Sequence, residues 1–122
     1  MKQKVHSVSY LAKAEFKFKT GTYDLVALPA GAEVVKLSLE VVGDINDVAL
    51  ALGFKVSETK NEYFLFLNAD SLKSNKDKTF TLAKDYTITS NKSVVATIDN
   101  DDNAKCILRV LYFLPSVIEV EY

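Results

Sequence analysis

Hydrophobic and polar residues alternate along most of this chain. Ala14, Phe16 and Phe18 alternate with Lys13, Glu15, Lys17 and Lys19, and Val35, Leu37, Leu39 and Val41 alternate with Lys36, Ser38 and Glu40. Successive side chains on a strand point to opposite faces, so this period of two marks strands with one buried and one solvated face. It recurs in Val48, Leu50, Leu52 and Phe54, in Val94, Ala96 and Ile98, and in Ile118, Val120 and Tyr122. Between the runs, Thr20-Gly21-Thr22, Gly43-Asp44-Ile45-Asn46-Asp47 and Asp99-Asn100-Asp101-Asp102-Asn103 carry turn chemistry. The sharpest corner is Leu28-Pro29-Ala30-Gly31-Ala32. Pro29 fixes its own φ and lacks an N–H, while Gly31 takes positive φ without steric cost, so residues 23–28 turn there into residues 33–42.

About eight to ten short strands follow from these runs, and no helix of usual length is required. The expected fold is all-β, an antiparallel two-sheet β-sandwich of jelly-roll or related Greek-key topology, forming a single domain over residues 1–122. Its core should include Phe16, Phe18, Leu37, Leu39, Leu50, Leu52, Val94, Ile98, Leu108 and Val110. Residues 79–82 and 86–89 read as two short strands, and residues 68–78 as an exposed polar loop. Residues 93–99 and 105–113 flank the Asp/Asn turn and are expected to form an antiparallel hairpin.

Two runs are apolar on both faces. Tyr63, Leu65 and Leu67 oppose Phe64 and Phe66, and Cys106, Leu108, Val110 and Tyr112 oppose Ile107, Leu111 and Phe113, interrupted only by Arg109. A chain of this size cannot bury both faces inside one sandwich. Phe64, Phe66, Ile107, Leu111 and Phe113 are therefore the candidate interface, to be covered by a second chain or a local loop.

Composition narrows the function classes. Of the 122 residues, 48% are hydrophobic and 25% charged, with a net charge of -1, so no basic field invites nucleic acid. No apolar run is long enough to span a bilayer and nothing marks the chain for export, so a soluble protein is expected. Cys106 is the only cysteine, which excludes an internal disulfide and a multi-cysteine metal site; its expected role is a small buried hydrophobe. His6 is the only histidine, no nucleophile motif is present, and four glycines are too few for a phosphate-cradling fingerprint. Asp99, Asp101 and Asp102 could offer oxygens to calcium, but the downstream glutamate of an EF-hand is missing and Asp/Asn clusters are ordinary turn chemistry. Asp44 and Asp47 read as loop caps. No catalytic, cofactor-binding or metal-binding residue is assigned. Six Tyr and seven Phe could build a sugar platform, but most fall at strand positions that core packing explains.

The order of these elements resembles small virion structural proteins of tailed bacteriophages and prophages. The similarity lies in the strand entering Leu28-Pro29-Ala30-Gly31, the Val-rich strand 33–42, the Leu52-Gly53 pair, Glu62-Tyr63-Phe64, and the closing strand, polar turn and strand over residues 93–112. The chain departs from the pattern in residues 68–78 and beyond Pro115. The resemblance implies a β-sandwich of head decoration, head-fibre, neck or tail-fibre type without enzymatic activity. Such a protein would be made in the bacterial cytoplasm and would act through self-association or docking on other virion proteins. The alternative is a monomeric β-sandwich binding module for carbohydrate or a small ligand.

Overall fold

In the computed structural model, which describes residues 2–6, 8–68, 79–114 and 117–121, the alternating runs become ten strands, with no helix among the described residues. They are β1 (Lys2–His6), β2 (Ser9–Lys17), β3 (Gly21–Leu28), β4 (Glu33–Val42), β5 (Leu50–Ser57), β6 (Lys60–Leu67), β7 (Thr79–Thr87), β8 (Lys92–Ile98), β9 (Lys105–Phe113) and β10 (Val117–Glu121).

Pairing is antiparallel throughout and nested. β5 pairs with β6, β4 with β7, β3 with β8, β2 with β9 and β1 with β10. The chain is thus one long hairpin whose tip is the turn at Glu58-Thr59. Two further pairings, β4 with β9 and β5 with β8, roll that hairpin into sheets of order β2-β9-β4-β7 and β3-β8-β5-β6. This is a jelly roll, the two-sheet Greek-key sandwich the alternation called for. The pair β1-β10 stands apart as a two-stranded ribbon.

The inner faces meet over an apolar core. Leu37, Leu39, Val41, Cys106, Leu108 and Val110 come from one sheet, and Leu28, Leu50, Leu52, Val94, Ala96 and Ile98 from the other. Among the described residues no polar or charged side chain is buried. Phe18 is in the core as expected, whereas Phe16 is only partly buried against it, because β2 is an edge strand.

Three expectations are corrected. β8 and β9 do not form a hairpin: they lie in different sheets, and residues 99–104 carry the chain across the sandwich. Two sheets pack about 10 Å apart, a gap six residues cross easily. Residues 79–87 are one strand, not part of two. Val34 pairs with Tyr86 and Lys36 with Ala83, so the polar interruption at Lys84-Asp85 is absorbed as an irregularity opposite Val35. Phe64 and Phe66 do not share a face either. Leu52 pairs with Leu65 and Gly53 with Tyr63, leaving Phe64 as a bulge residue. Past that bulge the alternation inverts: Phe64 turns onto the core, its ring 5.0 Å from that of Phe54, while Tyr63 and Phe66 stay outside with rings 6.0 Å apart. The expected loop over residues 68–78 lies, apart from Asn68, outside the described residues, as does Tyr122.

The bulge explains Gly53. A Cβ there would sit 2.7 Å from Tyr63 Cα and closer still to the Glu62 carbonyl oxygen, both backbone atoms that cannot swing aside. Gly53→Ala should therefore destabilise the fold by roughly 1 to 3 kcal/mol as β5 and β6 are forced apart. Leu108→Ala, which empties a fully buried site, should cost roughly 2 to 5 kcal/mol. Urea unfolding followed by circular dichroism reads both, and wild-type stability in either variant would contradict this packing.

Candidate functional site

At both ends of the sandwich the crossings between sheets are tied to one another. At one end Gly31 has φ 88°, Ala32 N–H donates to Pro29 O at 3.1 Å, and Ile88 N–H donates to Ala32 O at 2.8 Å. Ala30 N–H donates to Asn91 Oδ1 at 2.9 Å, so the Pro-Ala-Gly corner is fastened to the β7–β8 crossing. At the other end the Asp/Asn turn does the fastening. Asp99 Oδ1 accepts from Ala49 N–H at 2.6 Å, Asp102 Oδ2 from Asn46 N–H at 2.9 Å, and Asp101 Oδ1 from Thr20 N–H at 2.7 Å. Asn100 Nδ2 donates to the Asp47 carbonyl at 2.9 Å. The carboxylates weighed above as calcium ligands thus serve as acceptors for the backbone of two other loops. The Thr20 N–H and hydroxyl hold the Asp101 carboxyl below the ordinary aspartate range.

With the ends occupied in this way, the candidate surface lies on the sheets' outer faces. On β3-β8-β5-β6, Asn61 Nδ2 donates to Tyr63 Oη at 3.3 Å, Tyr63 Oη meets Thr97 Oγ1 at 2.6 Å, and Thr97 Oγ1 meets Thr22 Oγ1 at 3.0 Å. Tyr63 reaches β8 from β6 by crossing β5 at Gly53, where no side chain stands in the way. These hydrogen bonds, that to Thr97 foremost, lower the pKa of the phenol. Beside this polar row Phe66 is 71% exposed, above a groove lined by Leu50, Ala51, Leu67 and Thr97.

The outer face of β2-β9-β4-β7 is divided. Around Ile107, Arg109 Nη1 pairs with Glu40 at 2.8 Å, Lys105 with Glu15 at 3.0 Å and Lys13 with Glu15 at 3.6 Å. Lys105, through a hydrogen bond and its charge, holds the Glu15 carboxyl below its ordinary value. Ile107 is flanked in register by Glu15 and Glu40 and so sits within this ionic lattice. Leu111 and Phe113 lie at the opposite end. There Leu111 stands between Leu11, which is 59% exposed, and Lys36, and Phe113 between Ser9 and Glu33; the exposed Tyr10 faces the other way, its ring 6.0 Å from that of Tyr112. Of the five candidate interface residues, then, Phe66 stands open, Leu111 and Phe113 are grouped and partly buried, Ile107 is ringed by charge and Phe64 is turned inward.

Leu11 was missed in the sequence reading, although it has the parity of Lys13, Glu15 and Lys17 and is an apolar residue on the solvated face. Cys106 is buried in the core, and burial pushes its thiol up to about 12. His6 Nδ1 lies 3.0 Å from the Leu114 carbonyl. The described residues bring no three metal-binding side chains together.

Neither a protein-family model nor a curated protein matches the chain. Among solved structures, it matches a chain of the acidic stable capsid structure of Helicobacter pylori bacteriophage KHP30, at 61% identity over 100% of both chains with a TM-score of 0.85. It also matches a chain of the cyanophage Pam1 capsid asymmetric unit, with a TM-score of 0.63 over 88% of this chain and 85% of that one. At 20% identity the second likeness concerns the fold alone.

The Asp101 fastening makes the loop end sensitive to acid. Its carboxyl has a lower pKa folded than unfolded, so its contribution is present above the unfolded value of about 3.9 and is lost as pH falls through the folded one. Melting temperatures of wild type and Asp101→Asn should differ near neutrality, wild type being higher, and should converge as pH falls below the ordinary aspartate value of about 3.9. A gap independent of pH would contradict the assigned hydrogen bonds.

Proposed function

We propose how the chain works from one premise: it belongs to the family of small phage capsid proteins represented in the KHP30 structure, and it is a structural component of the virion. The observation that carries the reading is identity at 61% along the entire length of a chain from a phage capsid. The protein acts by contact and not by turnover, as part of the head rather than of a neck or tail fibre.

The exposed Phe66 on one sheet and the Leu111-Phe113 group on the other are the surfaces through which it docks. They lie on opposite outer faces of the same sandwich, an arrangement suited to a block that fits between two neighbours. An exposed apolar side chain is stabilised when a partner removes it from water, at about 25 cal/mol per Å² of apolar area. The inner face, Phe64 included, already fills the core and is left unchanged by docking.

Phe66→Asp tests this reading. The variant should fold with wild-type stability, since Phe66 contributes little to the core, yet enter particles at least tenfold less than wild type when the two compete during assembly. Quantitative mass spectrometry of purified particles measures the ratio. Equal incorporation would remove Phe66 from the interface, and a wild-type chain absent from the particle would overturn the reading as a whole.

A further inference from the structure

Phe66 is 71% exposed, and an exposed side chain ordinarily samples several rotamers, a freedom that docking must then remove. Its place on the sheet gives it little support of its own. On the outer face of β3-β8-β5-β6 it stands directly opposite Ala51, whose methyl group is too short to brace a ring. In a regular strand Phe64 would share that face with it, but Phe64 turns onto the core at the bulge. Tyr63 takes its place. The Tyr63 and Phe66 ring centroids are 6.0 Å apart with their planes tilted by 52°, a separation at which aromatic pairs attract beyond the area they bury.

Tyr63 is itself fixed from below and at its tip. In register it is followed across the sheet by Gly53 on β5 and Val95 on β8. Both belong to the outer face, since Gly53 lies between the inward Leu52 and Phe54, and Val95 between the inward Val94 and Ala96. Yet Gly53 is buried and Val95 is only 1% exposed. Residues buried on an outer face have a cover on the outside, and the Tyr63 ring, crossing this row to reach Thr97, supplies it. At the tip Tyr63 Oη meets Thr97 Oγ1 at 2.6 Å, Asn61 Nδ2 donates to Tyr63 Oη at 3.3 Å, and Thr97 Oγ1 is held in turn by Thr22 Oγ1 at 3.0 Å. A ring packed on two buried residues and hydrogen-bonded at its far end is locked in orientation.

We propose that Tyr63 is a positioning residue for docking: anchored through its hydroxyl on Thr97, it holds the Phe66 ring in the orientation that a neighbouring virion protein receives. The polar row of this outer face then serves as a brace for its exposed aromatic. The inference rests on the reading of Phe66 as a docking residue and adds how that residue is kept ready. A side chain ordered before docking has less freedom to lose when the partner arrives.

Tyr63→Phe, which keeps the ring and removes its anchor, tests this in two ways. In the free chain, three-bond couplings about χ1 of Phe66, measured by nuclear magnetic resonance, should report a single rotamer in wild type and an average over several in Tyr63→Phe. In assembly, Tyr63→Phe competing with wild type should enter particles roughly three- to tenfold less, the range that freezing one side chain supplies. In a Phe66→Leu background the same substitution should cause no further loss, because no ring is left to hold. Thr97→Val, which removes the hydroxyl on the other side of the hydrogen bond, should repeat both results and decides the matter if Tyr63→Phe does not fold. The same Phe66 rotamer distribution with and without the anchor would overturn the proposal, as would wild-type incorporation of Tyr63→Phe. A loss as large in the Phe66→Leu background would also overturn it, since Tyr63 would then act by itself. Phe66→Asp entering particles as well as wild type would instead remove the docking reading beneath, and the proposal with it.

Discussion

Burial of the inner faces of two sheets against each other is the interaction on which this fold depends. Pairing alone would leave a two-stranded ribbon five strand pairs long folded at Glu58-Thr59, with every apolar face in water. Contact between Leu37, Leu39, Leu108 and Val110 on one side and Leu50, Leu52, Val94 and Ile98 on the other turns that ribbon into a sandwich. The hydrophobic effect is not directional, so it sets how much is buried but not the arrangement. Arrangement comes from β4-β9 and β5-β8, the pairings outside the nested series, and from the carboxylates and turns that fasten the crossings at both ends. The β1-β10 pair continues the same nested series but belongs to neither four-stranded sheet.

The purely apolar core has a functional consequence. With no buried polar or charged side chain among the described residues, the interior holds no group whose protonation must be matched by a buried partner. The acid-responsive groups resolved here, Asp101 and Glu15, lie on the surface, at a loop end and in the ionic lattice of an outer face. Acid therefore loosens fastenings before it reaches packing. Outer surfaces, released from any part in the core, are free to differ: one carries a polar row with an exposed Phe66, the other ion pairs around Ile107 and an exposed Leu11 beside Leu111.

Much of the fold was legible because a period of two is a direct consequence of strand geometry. Leu37, Leu39, Leu108 and Val110 were placed in the core from alternation alone, and Pro29 and Gly31 from the backbone freedom their corner requires. What alternation could not show was where it breaks. The bulge at Phe64 inverts the facing of one half of β6, so an apparently two-sided apolar strand places Phe64, Leu65 and Leu67 inside and only Tyr63 and Phe66 outside. Strand order was equally hidden, since the Asp/Asn turn that suggests a hairpin also serves a crossing between sheets; the difference lies in its carboxylates binding the backbone at Asn46 and Ala49, residues about fifty positions away. Leu11 escaped notice because a single apolar residue on a polar face carries little signal until Leu111 is known to lie beside it.

The central claim is that one chain completes its own core and uses its outer surfaces for assembly. Hydrogen exchange of the free chain and of the same chain in assembled particles tests it most directly. Amides of β4, β5, β8 and β9 should be strongly protected in both states, with new protection on assembly confined to the first residues of β2 and to β6. Central strands that exchange rapidly in the free chain and become protected only in the particle would contradict it, because the core would then be a product of assembly.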